Sequence, residues 1–383
     1  MTGAAILSDQ QRTPMHGSDD SIPVPRAFDQ VTPDWLTRVL GLTYPGIEVL
    51  SAKVDPTMGH KPNKARVHLT YNRVGAEAGL TPTLVVKGTF NGTVSRGRII
   101  DFSNMAELVS YRDIVPRLNI NTPRLLYQHW EAEPSESVVM LFEDMAYRNP
   151  TYFPNGFATL NYGQAARILQ AMAKFQAQTW NSPAFAEGGE WGPGTPAGEN
   201  AARIRSDYFD ILPRSEHWET SVVSPRGAAM PRLLRDPERM ETAWFRLVDM
   251  LDRQAKVIVH GDEHLGNLAV EPDGMPIFYD LLARGEAWPL GLVRFLIPTL
   301  DILDRRAWEK PLLAGYLADL ERFGAPVPTF EEAWLAYRCS TICALMIWLN
   351  NSSTWQPEAT NTANAARAAA AVLDHDAFGL LGL

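Results

Sequence analysis

Three oxygen-bearing side chains near the middle of the chain have types and a spacing that could support catalysis. The segment HGDEHLGN at residues 260–267 follows an apolar run at 257–259, and Asp280 comes after a further strand-like stretch. The apolar run predicts a strand, and an Asp-Gly pair before Asp280 predicts a hairpin turn. The hairpin returns the chain, so Asp262, Asn267 and Asp280 are expected to converge.

These three residues divide naturally between two tasks. Carboxylate and amide oxygens suit Mg²⁺, which is often held by few protein groups together with substrate phosphates, so Asn267 and Asp280 are predicted to bind magnesium. Asp262 is predicted to orient a substrate hydroxyl and accept its proton, which is the division of labour in phosphoryl transfer by kinases. The alternative is ordinary loop capping and turn chemistry, since Asn and Asp are common turn formers. The joint spacing favours catalysis.

The two histidines of the same segment are predicted to support the loop. His260 is expected to hydrogen-bond the loop backbone, and His264 to serve the same loop. A zinc hydrolase that uses His260, His264 and Asp262 is the competing interpretation. It lacks a well-spaced ligand set and leaves Asn267 and Asp280 without a role.

The first 145 residues predict a small, mostly β lobe with one key helix. Apolar or alternating segments predict strands at 47–54, 66–73, 83–88 and 137–142. A capped short helix is predicted after Thr32. A longer helix is predicted at 104–118, with Glu107 among the residues that share one of its faces.

The rest of the chain predicts a larger, mainly helical lobe. Helical periodicity covers 165–175 and is expected again at 201–210, 238–254, 308–323, 329–350 and 361–373. Asn181–Asn200 is rich in Gly, Pro and Glu and predicts a long loop. A short β insert at 257–259, 267–270 and 276–279 carries the candidate catalytic loop. The predicted fold class is α+β, with a leader at 1–25, an N-terminal lobe at 26–145 and a C-terminal lobe at 146–383.

The form HGDEHLGN followed by Asp280 resembles the catalytic segment of the aminoglycoside phosphotransferase and choline kinase family of small-molecule kinases. The resemblance covers roughly residues 45–350 in order. It implies a two-lobed protein-kinase-like fold and the cofactors ATP and Mg²⁺. It also implies a small-molecule hydroxyl acceptor as the partner.

The resemblance extends to the predicted nucleotide lobe. Lys87, in the segment LVVK, is similar to the strand lysine that binds donor phosphates, and Glu107 is similar to the helix glutamate that pairs with it. The segment VVMLFEDM at 138–145 resembles the hinge that holds the adenine, which implies nucleotide contacts at Glu143 and Met145.

The sequence departs from the family pattern at three places. The nucleotide loop at 55–65 contains a single glycine, Gly59, which is the residue expected to approach the phosphates. Gln176 stands where the family often has His. Gly291 stands roughly where the family often has an Asp that supports the catalytic loop.

Composition and charge limit the partners and the cellular location that the chain can be expected to have. The chain has 383 residues, with 35 Lys and Arg against 44 Asp and Glu, a net charge of −9. This excess of acid argues against nonspecific nucleic-acid binding. The two cysteines, Cys339 and Cys343, predict reduced core thiols. No signal peptide or membrane span is recognisable, so a cytoplasmic location and no membrane partner are expected, while the oligomeric state is left open.

The predicted function is ATP- and Mg²⁺-dependent transfer of a phosphate to a small-molecule hydroxyl. The carboxylates of the late helices are expected to be solvated and too dispersed for a polycationic acceptor, namely Asp301, Asp304, Glu309, Asp319, Glu321, Glu331 and Glu332. This favours a partly apolar alcohol or phenol as the acceptor. The alternatives are a non-catalytic nucleotide-binding module and an aminoglycoside or macrolide resistance kinase. A choice between ATP and GTP is not encoded in these motifs.

Overall fold

The chain divides into two compact units with different architectures. The computed structural model describes residues 22–56, 63–90, 100–131, 137–206 and 224–383, and only the backbone of 100–103 and 203. Unit 1 comprises Met1–Arg117 and Thr122–Asn149, and unit 2 comprises Leu118–Asn121 and Pro150–Leu383. Unit 1 contains a mostly antiparallel sheet and unit 2 is mainly helical. The predicted α+β class is confirmed.

Unit 1 is built on a five-stranded antiparallel sheet in the order β1-β2-β3-β5-β4. The strands begin and end as follows: β1 Val49–Asp55, β2 Lys64–Tyr71, β3 Thr83–Gly88, β4 Leu125–Glu131 and β5 Ser137–Glu143. The sequence pattern does not predict β4. In that strand His129 is buried while Trp130 is 40% exposed, which inverts the usual pattern of apolar residues inside.

The helices of unit 1 flank this sheet. They are α1 Pro33–Gly41, α2 Arg73–Glu77, α3 Ile100–Val109 and α4 Val115–Leu118, with a π-helical turn at Ser110–Ile114 between the last two. The predicted cap of α1 is confirmed, because the Thr32 hydroxyl accepts the Trp35 N–H at 3.2 Å. Ile22 and Val24 are buried in the core of this unit, so the end of the segment predicted as a loose leader is packed.

Unit 2 contains the remaining helices and two small sheets. The helices are α5 Tyr162–Ala177, α6 Pro196–Arg205, α7 Pro225–Ala228, α8 Pro237–Leu251, α9 Trp288–Thr299, α10 Ile302–Arg322, α11 Phe330–Asn350, α12 Glu358–Asp374 and α13 Ala377–Leu380. The strands are β6 Thr151–Tyr152, β7 Lys256–Val259, β8 Leu268–Val270, β9 Pro276–Phe278 and β10 Arg284–Ala287.

The three strands of the predicted β insert are present as β7, β8 and β9. They belong to two sheets, because β7 pairs with β10 while β8 lies between β6 and β9. One expectation for unit 2 needs correction. The predicted loop at 181–200 ends early, because α6 begins at Pro196. Thr195 accepts the Gly198 N–H at 3.1 Å, so a Thr cap followed by Pro starts this helix.

The expectation of reduced core thiols is confirmed. Cys339 and Cys343 are both free and buried in α11. Burial raises the pKa of the Cys339 thiol to about 11 and that of Cys343 to about 12, so both stay protonated at neutral pH. Among the described residues, no helix is long and apolar enough to cross a membrane.

A buried ion-pair cluster ties α10, α11 and the end of α12 together. The Glu309 carboxylate accepts from Arg305 at 2.8 Å, from the Tyr337 hydroxyl at 3.2 Å and contacts His375 at 3.0 Å. Arg305 is only 1% exposed and also pairs with Asp374. Glu309 was expected on a solvated helix face, and that expectation is wrong because its carboxylate compensates this buried guanidinium.

We expect Glu309→Gln to lower the free energy of unfolding by about 3 kcal/mol, because it leaves the Arg305 charge buried with weaker compensation. Urea denaturation of the full chain measures this change. Glu77→Gln is the matched control, since its pair with Arg73 is exposed at 59% and 85% and should contribute less than about 1 kcal/mol. Equal losses in the two variants would contradict the role given to the buried cluster.

Candidate active site

The candidate loop begins where the buried strand β7 ends. Gly261 has a φ of +94°, a left-handed conformation that favours glycine. A Cβ at this position would overlap the carbonyl oxygen of Leu282 and the guanidinium of Arg284. The Leu282 N–H in turn donates to the His260 carbonyl at 3.0 Å. Gly261 therefore lets the loop lie directly against the chain that follows β9.

His260 connects the loop to the backbone on both sides. Its Nδ1 accepts the Asp262 N–H at 3.2 Å, so its Nε2 carries the proton and donates to the Tyr279 carbonyl at 3.1 Å. The side chain is buried, and burial lowers the pKa of His260, which keeps the ring neutral. The two hydrogen bonds fix the start of the loop relative to the residue before Asp280.

Asp262 lies at the surface of the loop with its carboxylate held in one orientation. The Asn267 amide donates to Asp262 Oδ2 at 2.8 Å and to the Asp262 carbonyl at 3.1 Å, and His264 Nε2 lies 3.4 Å from the same carboxylate. The side chain remains 45% exposed. The surrounding loop removes part of the water from the carboxylate and so raises the pKa of Asp262, but attraction to His264 and His260 and the Asn267 hydrogen bond hold this pKa well below its ordinary range.

Asn267 and Asp280 present oxygens that fit a hard cation. Both hydrogen bonds of the Asn267 amide nitrogen go to Asp262, which leaves the amide oxygen as its atom for a cation. Asp280 adopts a left-handed φ of +53°, which places a carboxylate at a turn after β9. The Tyr279 N–H donates to the Asn267 carbonyl at 3.2 Å, so the two segments are adjacent. Amide and carboxylate oxygens are of the type that Mg²⁺ prefers in proteins.

The zinc interpretation does not fit the loop. The two ring nitrogens of His260 are occupied by backbone groups, and His264 Nδ1 accepts the Gly266 N–H at 3.0 Å. Within the described part of the chain, no group of three or more His, Cys, Asp and Glu residues could hold a metal ion. The histidines instead position the loop and the Asp262 carboxylate.

A buried charge network that the sequence interpretation did not assign lies behind the loop. Glu263 contacts Arg294 at 2.7 Å, Arg294 contacts Glu286 at 2.7 Å, and Glu286 contacts Arg284 at 2.6 Å. Burial lowers the pKa of Arg294, but Glu263 and Glu286 outweigh it and raise this pKa well above its ordinary value. A signal was present in the sequence, because Arg294 interrupts the apolar run of α9 between Trp288 and Pro298, and a charged residue in such a run requires a carboxylate partner when it is buried.

In unit 1 the structure brings Lys87 and Glu107 together. Lys87 of β3 forms an ion pair with Glu107 of α3, and the exposed fractions of the two side chains are 11% and 4%. The family resemblance implied that these two residues pair. The ammonium group of Lys87 is therefore held beside a carboxylate within unit 1.

The segment predicted to contact the nucleotide, which contains Glu143 and Met145, is held by ion pairs and hydrogen bonds within unit 1. The Glu143 carboxylate accepts the Arg124 N–H at 2.8 Å and pairs with Arg148. Between Glu143 and Met145, Asp144 is buried and accepts hydrogen bonds from Arg66 and Thr83, each at 2.6 Å. Asp144 therefore anchors this segment to β2 and β3. Gly59, predicted to approach the phosphates, lies outside the described residues.

The fold is shared with solved kinases. No protein-family model and no curated protein sequence matches the chain. It is similar to the choline kinase LicA from Streptococcus pneumoniae, at 13% identity and a TM-score of 0.50, over 90% of this chain and 99% of that chain. It is also similar to an ethanolamine kinase from Plasmodium vivax, at 10% identity and a TM-score of 0.51, over 96% and 97% of the two chains. The predicted resemblance is confirmed for the fold.

We expect Gly261→Ala to lower the free energy of unfolding by more than about 2 kcal/mol, because alanine combines an unfavourable φ with overlap at Leu282. Urea denaturation measures the loss. Gly315→Ala is the control, since a Cβ there in α10 meets nothing within 4 Å. That control should be neutral or stabilising by about 0.5–1 kcal/mol. A Gly261→Ala variant as stable as Gly315→Ala would refute the close approach.

Proposed function

We propose that the chain is an ATP- and Mg²⁺-dependent phosphotransferase that phosphorylates a hydroxyl of a small molecule. The observation that carries the proposal is the Asp262 carboxylate, exposed at 45% yet oriented by Asn267 and His264. Its position in a fold shared with choline and ethanolamine kinases supports the same reaction class. A nucleotide-binding module without turnover would have no need of this oriented carboxylate.

Asp262 orients the acceptor hydroxyl and takes its proton. The lowered pKa of Asp262 makes its carboxylate a weak base at neutral pH. This suits a loose transition state, in which the bond from the γ-phosphorus to the bridging oxygen of ATP is largely broken before the acceptor oxygen bonds to phosphorus. The proton moves to Asp262 as that new bond forms, and ADP leaves.

Asn267 and Asp280 would hold Mg²⁺ through the amide oxygen and the carboxylate described above. Bound Mg²⁺ neutralises charge on the donor phosphates. The amide nitrogen of Asn267 holds Asp262 at the same time. Asn267 therefore links the orientation of the proton acceptor to the cation site.

In unit 1, Lys87 would bind donor phosphates and Glu107 would hold the Lys87 ammonium in place. The Lys87–Glu107 pair is largely buried, so its attraction is less screened by water and salt than that of a surface pair. The family resemblance supports nucleotide contacts at the segment that contains Glu143 and Met145. The Asp144 anchor gives that segment a fixed path.

The acceptor is proposed to be a partly apolar alcohol or phenol. His264, beside Asp262, packs edge-on against Trp348 with ring centroids 5.7 Å apart, so an aromatic side chain approaches the loop. The buried carboxylate Glu309 is committed to Arg305 and His375. The kinases that share the fold are named for choline and ethanolamine, so amino alcohols form the competing acceptor class.

We expect Asp262→Asn to lower turnover by at least about 100-fold, because the amide cannot accept the acceptor proton. The measurement is ADP release from Mg-ATP with aminoglycosides, macrolides, amino alcohols, sterols and phenols. ATP affinity, measured by calorimetry, should stay within about twofold because the donor phosphates bind other groups. Asp273→Asn, at an exposed turn of the same unit, is the matched control and should keep full turnover.

Acceptor-dependent ADP release that Asp262→Asn retains at the wild-type rate would overturn the role of this carboxylate. ATP binding without turnover on any acceptor class would favour the non-catalytic module. Turnover confined to aminoglycosides or macrolides would replace the proposed acceptor with an antibiotic.

We expect Lys87→Met to weaken ATP binding by at least about tenfold, because a buried ion pair that contacts phosphate is replaced by an apolar chain. Calorimetric titration with Mg-ATP measures the affinity. Lys53→Met removes an equivalent charge from an exposed position of β1 and should leave the affinity unchanged. Equal affinities in the Lys87→Met variant and the wild type would contradict a donor site at Lys87.

A further inference from the structure

Glu263 points in the opposite direction from its neighbour Asp262. Whereas the Asp262 carboxylate is 45% exposed, the Glu263 side chain is 1% exposed. Glu263 Oε1 accepts the Gly261 N–H at 3.1 Å, and Oε2 accepts from Arg294 Nε at 2.7 Å. The loop therefore folds one of its own carboxylates underneath itself.

The same network reaches the other side of the Gly261 residue. Arg294 also donates to Glu286 at 2.7 Å, and Arg284 donates to Glu286 at 2.6 Å. Arg284 Nη1 then donates to the carbonyls of Leu282 at 2.9 Å and Gly261 at 3.3 Å. Two carboxylates and two guanidiniums thus hold both the N–H and the carbonyl of the residue before Asp262.

The space for the Glu263 carboxylate exists because α9 has no side chain at residue 291. A Cβ on Gly291 would lie 3.0 Å from Glu263 Oε1 and 3.2 Å from Gln176 Nε2. Gln176 is itself held in place, because its Oε1 accepts the Tyr316 hydroxyl at 2.6 Å. Gly291 is helical and has no positive φ, so space rather than backbone conformation is what its missing side chain provides.

We propose that Glu263 is a positioning residue, whose carboxylate, held by Arg294 and admitted by Gly291, fixes the Gly261 peptide and thereby the Asp262 carboxylate. This role rests on the proposed phosphotransferase function. A buried ionic network contributes little stability beyond an apolar replacement of the same shape. Its effect is to fix geometry, and small displacements of a reacting group cost large factors in rate.

If Glu263 positions Asp262, its removal should lower turnover strongly and change nucleotide binding little. Glu263→Ala should lower kcat by about 100-fold, because the Gly261 N–H loses its acceptor and Asp262 its fixed position. The KM for ATP should change by less than about threefold, since Lys87, which is proposed to bind the donor phosphates, belongs to unit 1. Glu309→Gln is the matched control, because it disturbs another buried carboxylate of unit 2. This variant should be less stable than the wild type, but at temperatures below its melting temperature its kcat should be unchanged.

A second-site variant separates positioning from general loss of structure. Gly291→Asp alone should impair turnover, because its side chain competes with Glu263 for one space. In the double variant Glu263→Ala/Gly291→Asp, the new Cβ lies 3.0 Å from the present position of Glu263 Oε1, so the aspartate carboxylate is attached next to the space that Glu263 has vacated. The double variant should regain at least about tenfold in kcat over Glu263→Ala. Failure to regain any turnover, with a folded double variant, would overturn the proposal.

Amide hydrogen exchange tests the same contact without turnover. In Glu263→Ala, peptides spanning residues 260–267 should exchange faster than in the wild type, and the double variant should restore protection. Unchanged exchange in Glu263→Ala would overturn the positioning role even if turnover fell. If the wild type transfers no phosphate to any acceptor while these exchange differences appear, the proposed function fails and the contact of Glu263 with the loop stands.

Discussion

The charged network behind Gly261 is the constraint on which the candidate site depends. Gly261 has a left-handed backbone, is only partly exposed and lies against Leu282, and both of its peptide groups are hydrogen-bonded to charged side chains. Glu263 accepts its N–H and Arg284 donates to its carbonyl. Since these side chains are themselves charged and buried, Arg294 and Glu286 must balance them. The hydrogen bonds of the Gly261 backbone therefore depend on charged side chains of α9 and β10.

The side chains of the loop around Gly261 make different kinds of contact. His260, buried and neutral, binds backbone groups on both sides. Asn267 uses its amide nitrogen to orient Asp262, which leaves the amide oxygen for a cation. Asp262 alone among the carboxylates of the loop faces solvent. Under the proposed function, a substrate hydroxyl would meet a carboxylate that is already oriented, which is the benefit of a preorganised site.

Buried charged side chains hold helix ends and neighbouring helices together at several places in unit 2. Arg226, 4% exposed, donates to the carbonyls of Trp348, Leu349 and Asn351 at the end of α11 and pairs with Glu358. These donors satisfy the carbonyls that every helix leaves unpaired at its C-terminus. The Arg305–Glu309 cluster holds α10 to α12 in a similar way. Trp348, which packs against His264, is thus fixed by its own backbone.

The sequence by itself determined the elements and the residue types of the candidate site. Period-two burial in β2, the Thr32 cap of α1 and the spacing from Asp262 to Asn267 are local properties, which neighbours along the chain can encode. Only the tertiary structure decided that β7 pairs with β10, that His129 is buried while Trp130 is exposed, and that Glu309 is buried against Tyr337 and His375. It also decided that Glu263 occupies the space left by Gly291. Those outcomes depend on contacts between residues far apart in the chain, and no local pattern specifies which distant group will be the partner.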